Sequence, residues 1–398
     1  MSAERSGSRR IGYPITAWSA VNALGVSTAQ VLDALHAGRS GLSAAPPATP
    51  FATVCGAVRG VLEPLIGDLQ RYDFRNNRIA RRAVEGIEPE VQAAVERWGA
   101  GRVGLAIGSS TAAMDETERA YETHARTGSL PRDFDVQQHA SPEGLLHVIR
   151  TVTGIAGPGV VVSTACSSSA KAFGTAKRWL AADVVDAVLV GGADSLCQTT
   201  LRGFHALALV ASEPARPFSA QRCGINIGEG AAFALLERRG TGPRLLGVGE
   251  SADAHHMSSP DPQGHGARHA MLAALDEAGL SGADVDHVNA HGTGTRLNDA
   301  MEAEAIRAVL GAEARALTVS TKGYTGHLLG AAGVTEAVFA LDALVTGCIP
   351  ESLGADPVDP QIAIAIAIRA AQMPLRVVLS NSFAFGGSNV SLVFGEPV

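Results

Sequence analysis

Charged residues are scarce in this chain: Asp, Glu, Lys and Arg make up 18% of its 398 residues, and aromatic residues only 5%. The formal net charge is −7, so a basic surface suited to nucleic acid or an anionic membrane is not indicated. The five cysteines, Cys55, Cys166, Cys197, Cys223 and Cys348, include no Cys-x-x-Cys pair. An odd, unpatterned set argues against a disulfide framework or a zinc site and for reduced thiols in a cytoplasmic enzyme. No stretch comes near the ~20 uninterrupted apolar residues of a membrane helix. The opening MSAERSGSRR is polar and basic, with no apolar segment behind it to act as a signal peptide. Apolar side chains, by contrast, reach 46%, enough for a large core in a chain long enough for two intimately packed halves.

Short β-rich runs alternate with longer Ala-rich amphipathic segments, an α/β pattern. VGLAIGSS (103–110), VVVSTA (160–165), DAVLVGGAD (186–194), VDHVNAHG (285–292) and LTVSTKG (317–323) read as buried strands ending in small or polar residues. Helices are predicted over 167–182, 268–278, 299–310 and 331–346. LRVVLSNSFAFGGSNVSLVF (375–394) reads as two strands joined by a Gly-Gly turn. The IAIAIAI run within 361–370 alternates with period two, as a strand would, with an Ala-rich helix as the alternative.

Cys166 stands where the 160–165 strand ends and a helix begins with Ser167, Ser168 and Ser169. A helix start presents unpaired N–H groups and the positive end of the macrodipole, which favour a thiolate and lower a thiol pKa. A buried small hydrophobe is the ordinary role of a single cysteine. Two further stretches tip the balance. NAHGTGTRLND (289–299) places His291 at a strand end, and STKGYTGHLLGAAG (320–333) places Lys322 and His327 before a small-residue helix. Each histidine alone has a bland structural reading. Cys166, His291 and His327 together form a set at the ends of three strands, where α/β proteins build active sites.

With these motifs the sequence resembles the β-ketoacyl-acyl-carrier-protein synthases of the elongating type, condensing enzymes of the thiolase fold. TACSSSA (164–170), NAHGTGT (289–295), TKGYTGHLLGAAG (321–333) and SFAFGGSNVSLVF (382–394) carry the resemblance, with PITAWSAVNALG (14–25) and LHAGRSGL (35–42) matching the opening. It implies two pseudo-equivalent βαβαβ halves, residues 1–240 and 241–398, in an α-β-α-β-α arrangement. It implies that Cys166 takes an acyl group as a thioester and that His291 and His327 bind a malonyl thioester, whose enolate attacks the acyl-cysteine. Lys322 would orient the histidine region, anchored by Glu336, while Asp299 and Glu302 buttress the loop after His291. Thr293 and Thr295 would bind the phosphopantetheine arm delivered by acyl-carrier protein, the enzyme having no cofactor or metal of its own. The N–H groups of Cys166 and Phe385 would form an oxyanion hole, with Phe385 as gate. Thr111 and Phe204 fall where the family lines its acyl pocket. Ala384 replaces a common glycine of the gate loop, which implies a stiffer loop. RPFSAQRCGINIGEGAA (216–232) resembles a side branch making aryl polyene-type lipids, and a dimer is implied, either of two copies or with a chain-length-factor-like subunit.

Arg71, Arg75, Arg78 and Arg82 recur at helical spacing in RYDFRNNRIARR and form a candidate docking face for an acidic carrier protein, although most charge runs are simply solvated. DAHHMSSPDPQGHGARH (253–269) is histidine-rich but fits no common metal spacing. A nucleophile-free chain-length partner is disfavoured by the presence of Cys166, both histidines and Lys322. A degradative thiolase is disfavoured by FAFGGS where a second cysteine belongs. A Cys-His hydrolase leaves the HGTGT and TGH motifs unexplained.

Overall fold

The structure is a computed structural model that describes residues 12–397; the polar opening segment lies outside them. Fourteen strands occur among these residues. The ten that form the main sheet are β1 (Tyr13–Asn22), β4 (Val103–Gly108), β5 (Gly159–Val162), β6 (Ala187–Asp194), β7 (Gly230–Glu237), β8 (Arg244–Ala252), β9 (His287–Asn289), β10 (Leu317–Val319), β13 (Val377–Ala384) and β14 (Ser388–Gly395). The remaining four form two-residue pairs, β2 (Ser43–Ala44) with β3 (Val54–Cys55), and β11 (Cys348–Ile349) with β12 (Ala371–Gln372).

The main sheet consists of two copies of one topology. Its order is β10-β9-β13-β14-β8-β1-β7-β6-β4-β5. The first half runs β5-β4-β6 parallel, then β7 and β1 antiparallel. The second runs β10-β9-β13 parallel, then β14 and β8 antiparallel. In each half the third strand in the sequence leads through a crossover to a long helix and on to the fourth strand. The halves join edge to edge where Tyr13 and Pro14 pair with Leu245 and Arg244, and the chain passes between them in the turn from Glu237 to Arg244.

The two crossover helices, Ser168–Ala181 and Ala332–Thr346, lie between the half-sheets and touch strands of both. Helices Arg75–Glu85 and Glu143–Thr153 cover the outside of the first half, and His265–Ala278 covers the second with Arg296–Leu310 beside it. This is the α-β-α-β-α layering. The run Leu329–Thr346 has a mean hydropathy of 1.5 and is 89% buried. Its composition would suit a membrane helix, and its position makes it the core instead, which is why it is apolar nearly all round, Glu336 and Asp342 being paired with Lys322 and His36.

The IAIAIAI run is neither strand nor helix. It passes along the edge strand β10, where only Ile366 bridges Thr318; Thr318 N–H donates to Ala365 O and Ala367 N–H to Thr318 O. A partner strand of three residues is too short to sustain a longer ladder.

Candidate active site

Cys166 occupies a tight turn between β5 and the first central helix. Ala165, the residue before it, is held at φ 51, a left-handed conformation that costs a residue with a Cβ roughly 1 kcal/mol or more. Ser168 fixes the turn: its hydroxyl accepts from Thr164 N–H (2.9 Å) and donates to Ala165 O (2.6 Å). Cys166 is 5% exposed. The helix start does not leave it a ready thiolate. Burial pushes the Cys166 thiol up to about 12, opposed by the Lys322 charge, raised further by Asp194, and opposed again by a hydrogen bond from Phe385 N–H. Attack therefore requires that the thiol proton leave.

His291 lies just past the end of β9, whereas His327 comes after the helical turn Lys322–Thr325 that follows β10 and is not at a strand end. The second half thus contributes both histidines and the first half the thiol. Sulfur and one ring nitrogen of each histidine lie within 4.8 Å of one another. The imidazoles meet edge to face at 5.2 Å. Burial holds both pKa values well below the ordinary imidazole range, and the Lys322 charge pushes them further down. Both rings are therefore neutral near pH 7. Leu329 N–H donates to His327 Nδ1 (3.3 Å), which places the remaining proton on Nε2. That Nε2 is buried without a partner among the described residues. Lys322 Nζ lies 3.5 Å from His291 Nδ1, favouring the same tautomer there. The cavity thus receives imidazole N–H donors, the arrangement that stabilises a developing oxyanion. The three atoms are also close enough to hold a soft metal ion, but a proton on His327 Nε2 opposes it.

Lys322 is 2% exposed and its ammonium is shared between His291 O and Glu336. Burial raises the Glu336 pKa and Lys322 opposes the rise. Glu302 accepts the N–H groups of His291 (2.8 Å) and Gly292 (2.7 Å). Asp299 accepts those of Phe218 (2.7 Å) and Gly294 (3.1 Å) and lies 3.9 Å from Arg222. Burial lifts Glu302 to about 7 and Asp299 to about 6. Both acids therefore grip the backbone of the His291 loop.

A cavity of about 500 Å³ opens onto these groups, within the range of a small-molecule site. Cys166, His291 and His327 line it, together with Thr293, Thr295, Phe204 and Phe385. The two threonine hydroxyls are 2.9 Å apart, and the rings of Phe204 and Phe385 lie 5.2 Å apart. Ala384 ends β13 in an extended conformation, paired with Ser388. The left-handed angles of this turn belong to Gly386 (φ 82) and Gly387 (φ 73), so alanine at 384 removes no freedom that the loop uses.

Two sequence expectations fail. Thr111 does not line the cavity: its hydroxyl donates to the buried Asp194 (2.7 Å). The four arginines do not share one helix, because Arg71 sits in the preceding turn Gly67–Tyr72 and the helix begins at Arg75. Arg75 is turned inward onto buried Glu229 and Val58 O, while Arg78 is paired with Asp73 and Arg82 bonds Val26 O. The sequence reading also missed Cys223, which lines the cavity, and Asp194. The one signal for Asp194 was an acid at the end of an otherwise apolar strand.

A thiol on a strained strand-to-helix turn, facing two neutral imidazoles and a buried lysine, defines an acyltransferase of the condensing type. Residues 14–241 match the β-ketoacyl synthase N-terminal domain and residues 244–356 the β-ketoacyl synthase C-terminal domain. The chain is 32% identical over 415 residues to 3-oxoacyl-[acyl-carrier-protein] synthase 2 of Coxiella burnetii, covering 96% of this chain and 98% of that one. Nodulation protein E of Rhizobium meliloti strain 1021 is 35% identical over 306 residues, 74% of this chain and 76% of the relative. Among solved structures, the ketosynthase ApeO in complex with its chain length factor ApeC from Xenorhabdus doucetiae superposes with a TM-score of 0.90 at 34% identity. That match covers 98% of this chain and 99% of the other. A β-ketoacyl synthase from Burkholderia phymatum STM815 gives a TM-score of 0.89 at 30% identity, covering 97% and 99%. The chain belongs to the β-ketoacyl synthase family, and its activity is the Claisen-type condensation of acyl chain elongation.

Proposed function

We propose that the acyl group resides on Cys166 and that the second substrate is a malonyl thioester carried on the phosphopantetheine arm of an acyl-carrier protein. The observation that supports this most is the pair of neutral imidazoles facing the thiol, with Nε2–H of His327 unpartnered. In the first stage the Cys166 sulfur attacks the acyl thioester carbonyl. The N–H groups of Phe385 and Cys166 hold the tetrahedral oxyanion, and the carrier thiol departs with the cysteine proton. In the second stage Nε2–H of His291 and His327 bind the malonyl thioester carbonyl. Loss of carbon dioxide leaves an enolate whose oxygen these donors stabilise. Its carbon attacks the Cys166 thioester, forming the new C–C bond and expelling the thiolate. Lys322 and Glu336 hold His291, Glu302 and Asp299 hold its loop, and Thr293 and Thr295 bind the arm. Phe204 borders the acyl chain, with Phe385 as the gate.

The carrier is proposed to dock on Arg71, Arg78 and Arg82, the three arginines not committed to a buried acid. Charge reversal at Arg71 and Arg82 raises the KM for carrier-bound substrate if this is right, and an unchanged KM removes the idea. A second subunit is proposed as well. The match to a ketosynthase solved with its chain length factor favours a heterodimer of that kind over two copies of this chain, in polyene-type elongation. Five free thiols suit a cytoplasmic setting. Initial-rate kinetics test the reaction: with a co-purified partner, acyl- and malonyl-carrier protein give parallel double-reciprocal lines and a β-ketoacyl product. Intersecting lines, or no product, contradict it.

A further inference from the structure

Asp194 ends β6 fully buried, and no lysine or arginine among the described residues forms an ion pair with it. Its two oxygens instead meet backbone N–H groups and hydroxyls. These are Ser109 Oγ (2.9 Å), Ser110 N–H (3.0 Å), Thr111 N–H (2.8 Å), Thr111 Oγ1 (2.7 Å) and Ala331 N–H (3.2 Å). Burial raises the Asp194 pKa, and the hydrogen bonds from Thr111, Ser109 and Ser110 oppose the rise. The backbone N–H groups of Ser110, Thr111 and Ala331, which can only donate, converge on the carboxyl and favour the carboxylate. An uncompensated buried anion is expensive, and its retention calls for a reason.

The donors come from two segments that both reach the reacting centre. Ser110, bonded to Asp194 through its N–H, donates its hydroxyl to Ala165 O (3.2 Å), the strained residue before the nucleophile. Ala331 closes the turn Leu329–Ala331, whose first N–H fixes the His327 tautomer. The two segments meet closely at Gly330, where a Cβ would come within 2.6 Å of Ser110 N and 2.7 Å of Asp194 Oδ2. We propose that Asp194 is a positioning residue of the condensing site: its carboxylate fixes the Ser109–Thr111 turn and the His327 turn together, and so sets the nucleophile against the imidazole. This rests on the ketosynthase reading of the site.

The charge has a second consequence that separates positioning from mere stability. Among the charged groups facing Cys166, Lys322 favours the thiolate, whereas Asp194 and Glu336 oppose it, and His291 and His327 are neutral. Asp194→Asn keeps the shape, presents an NH₂ donor to N–H donors, and removes the opposing charge. Condensation kcat should fall about 100-fold, as for a misplacement near 1 Å, while alkylation of Cys166 by iodoacetamide moves to lower pH. Asp194→Glu keeps the charge, so its alkylation profile stays at the wild-type position although kcat falls. Ser110→Ala, at the exposed edge of the network, serves if the buried variants do not fold. It should slow acylation of Cys166 and leave malonyl decarboxylation by the histidines unchanged. Wild-type kcat in Asp194→Asn, an unshifted alkylation profile, or unaltered acylation in Ser110→Ala would each overturn the assignment. Failure of the ketosynthase reading would show instead as an inactive wild type.

Discussion

Lys322 Nζ lies 3.5 Å from Nδ1 of His291 and also bonds that residue's carbonyl oxygen. One buried ammonium thus fixes the ring, its backbone and its protonation state together, while Glu336 balances the charge. Burial is the main reason the two histidines stay uncharged, and this ammonium pushes their pKa values further down, which leads to the first test.

Lys322→Met leaves Glu336 buried without its partner. Breaking such a pair costs about 3–5 kcal/mol, so the melting temperature falls. Adding Glu336→Gln restores most of the stability, whereas condensation stays impaired because His291 has lost its anchor. Thermal melts and kcat of the single and double variants decide this. Recovery of activity together with stability would show the pair to be structural only.

His327→Ala removes an N–H donor needed for the enolate and not for acylation. Malonyl decarboxylation falls on the order of 10²–10³-fold, while Cys166 still accepts an acyl group. Release of carbon dioxide and intact mass, measured side by side, separate the two stages. Equal loss of both would refute the division of labour.

The gate loop offers a contrast between two small-residue exchanges. Gly387→Ala forces φ 73 on a residue with a Cβ and brings that atom within 2.9 Å of Asp253 Cβ, so kcat/KM drops. Ala384→Gly, in an extended strand end, leaves kcat/KM near wild type. Equal effects from the two would mean that the turn is not where the loop moves.

His287 lies in β9 beneath the site, its Nδ1 2.7 Å from Leu317 O. Burial depresses its pKa to about 4 from 6.5. The unfolded chain therefore takes up this proton first as pH falls below 6.5, and stability declines from there down to the folded value near 4. The contribution lost by pH 4 is roughly 3 kcal/mol. In His287→Gln the acid-induced loss of stability over that window is smaller by about this amount. Denaturant titrations at pH 7 and pH 4.5 check the sign and the size.

The site's cast was legible because its chemistry demands particular residues at strand ends. A cysteine before a serine-rich helix start and histidines ringed by glycine and threonine stand out in a single sequence. What packing decides did not stand out. The thiol was read as activated by its helix, but burial by distant segments dominates its proton affinity. Thr111 was read as pocket lining, yet its hydroxyl belongs to Asp194, 83 residues away. Arg75 looked like part of a basic face because its helical spacing is visible, whereas Glu229, which turns it inward, lies 154 residues further on. The repeat of strand order between the halves leaves no trace in composition, since only topology and not side-chain identity recurs.

The most direct measurement is intact-mass spectrometry of the chain, with its partner subunit, after incubation with a panel of acyl-carrier-protein thioesters, comparing wild type with Cys166→Ala. The account predicts acyl adducts on wild type alone, with masses that reveal the chain lengths the cavity admits. Adducts of equal yield on Cys166→Ala, or none on wild type with any donor, would contradict Cys166 as the nucleophile.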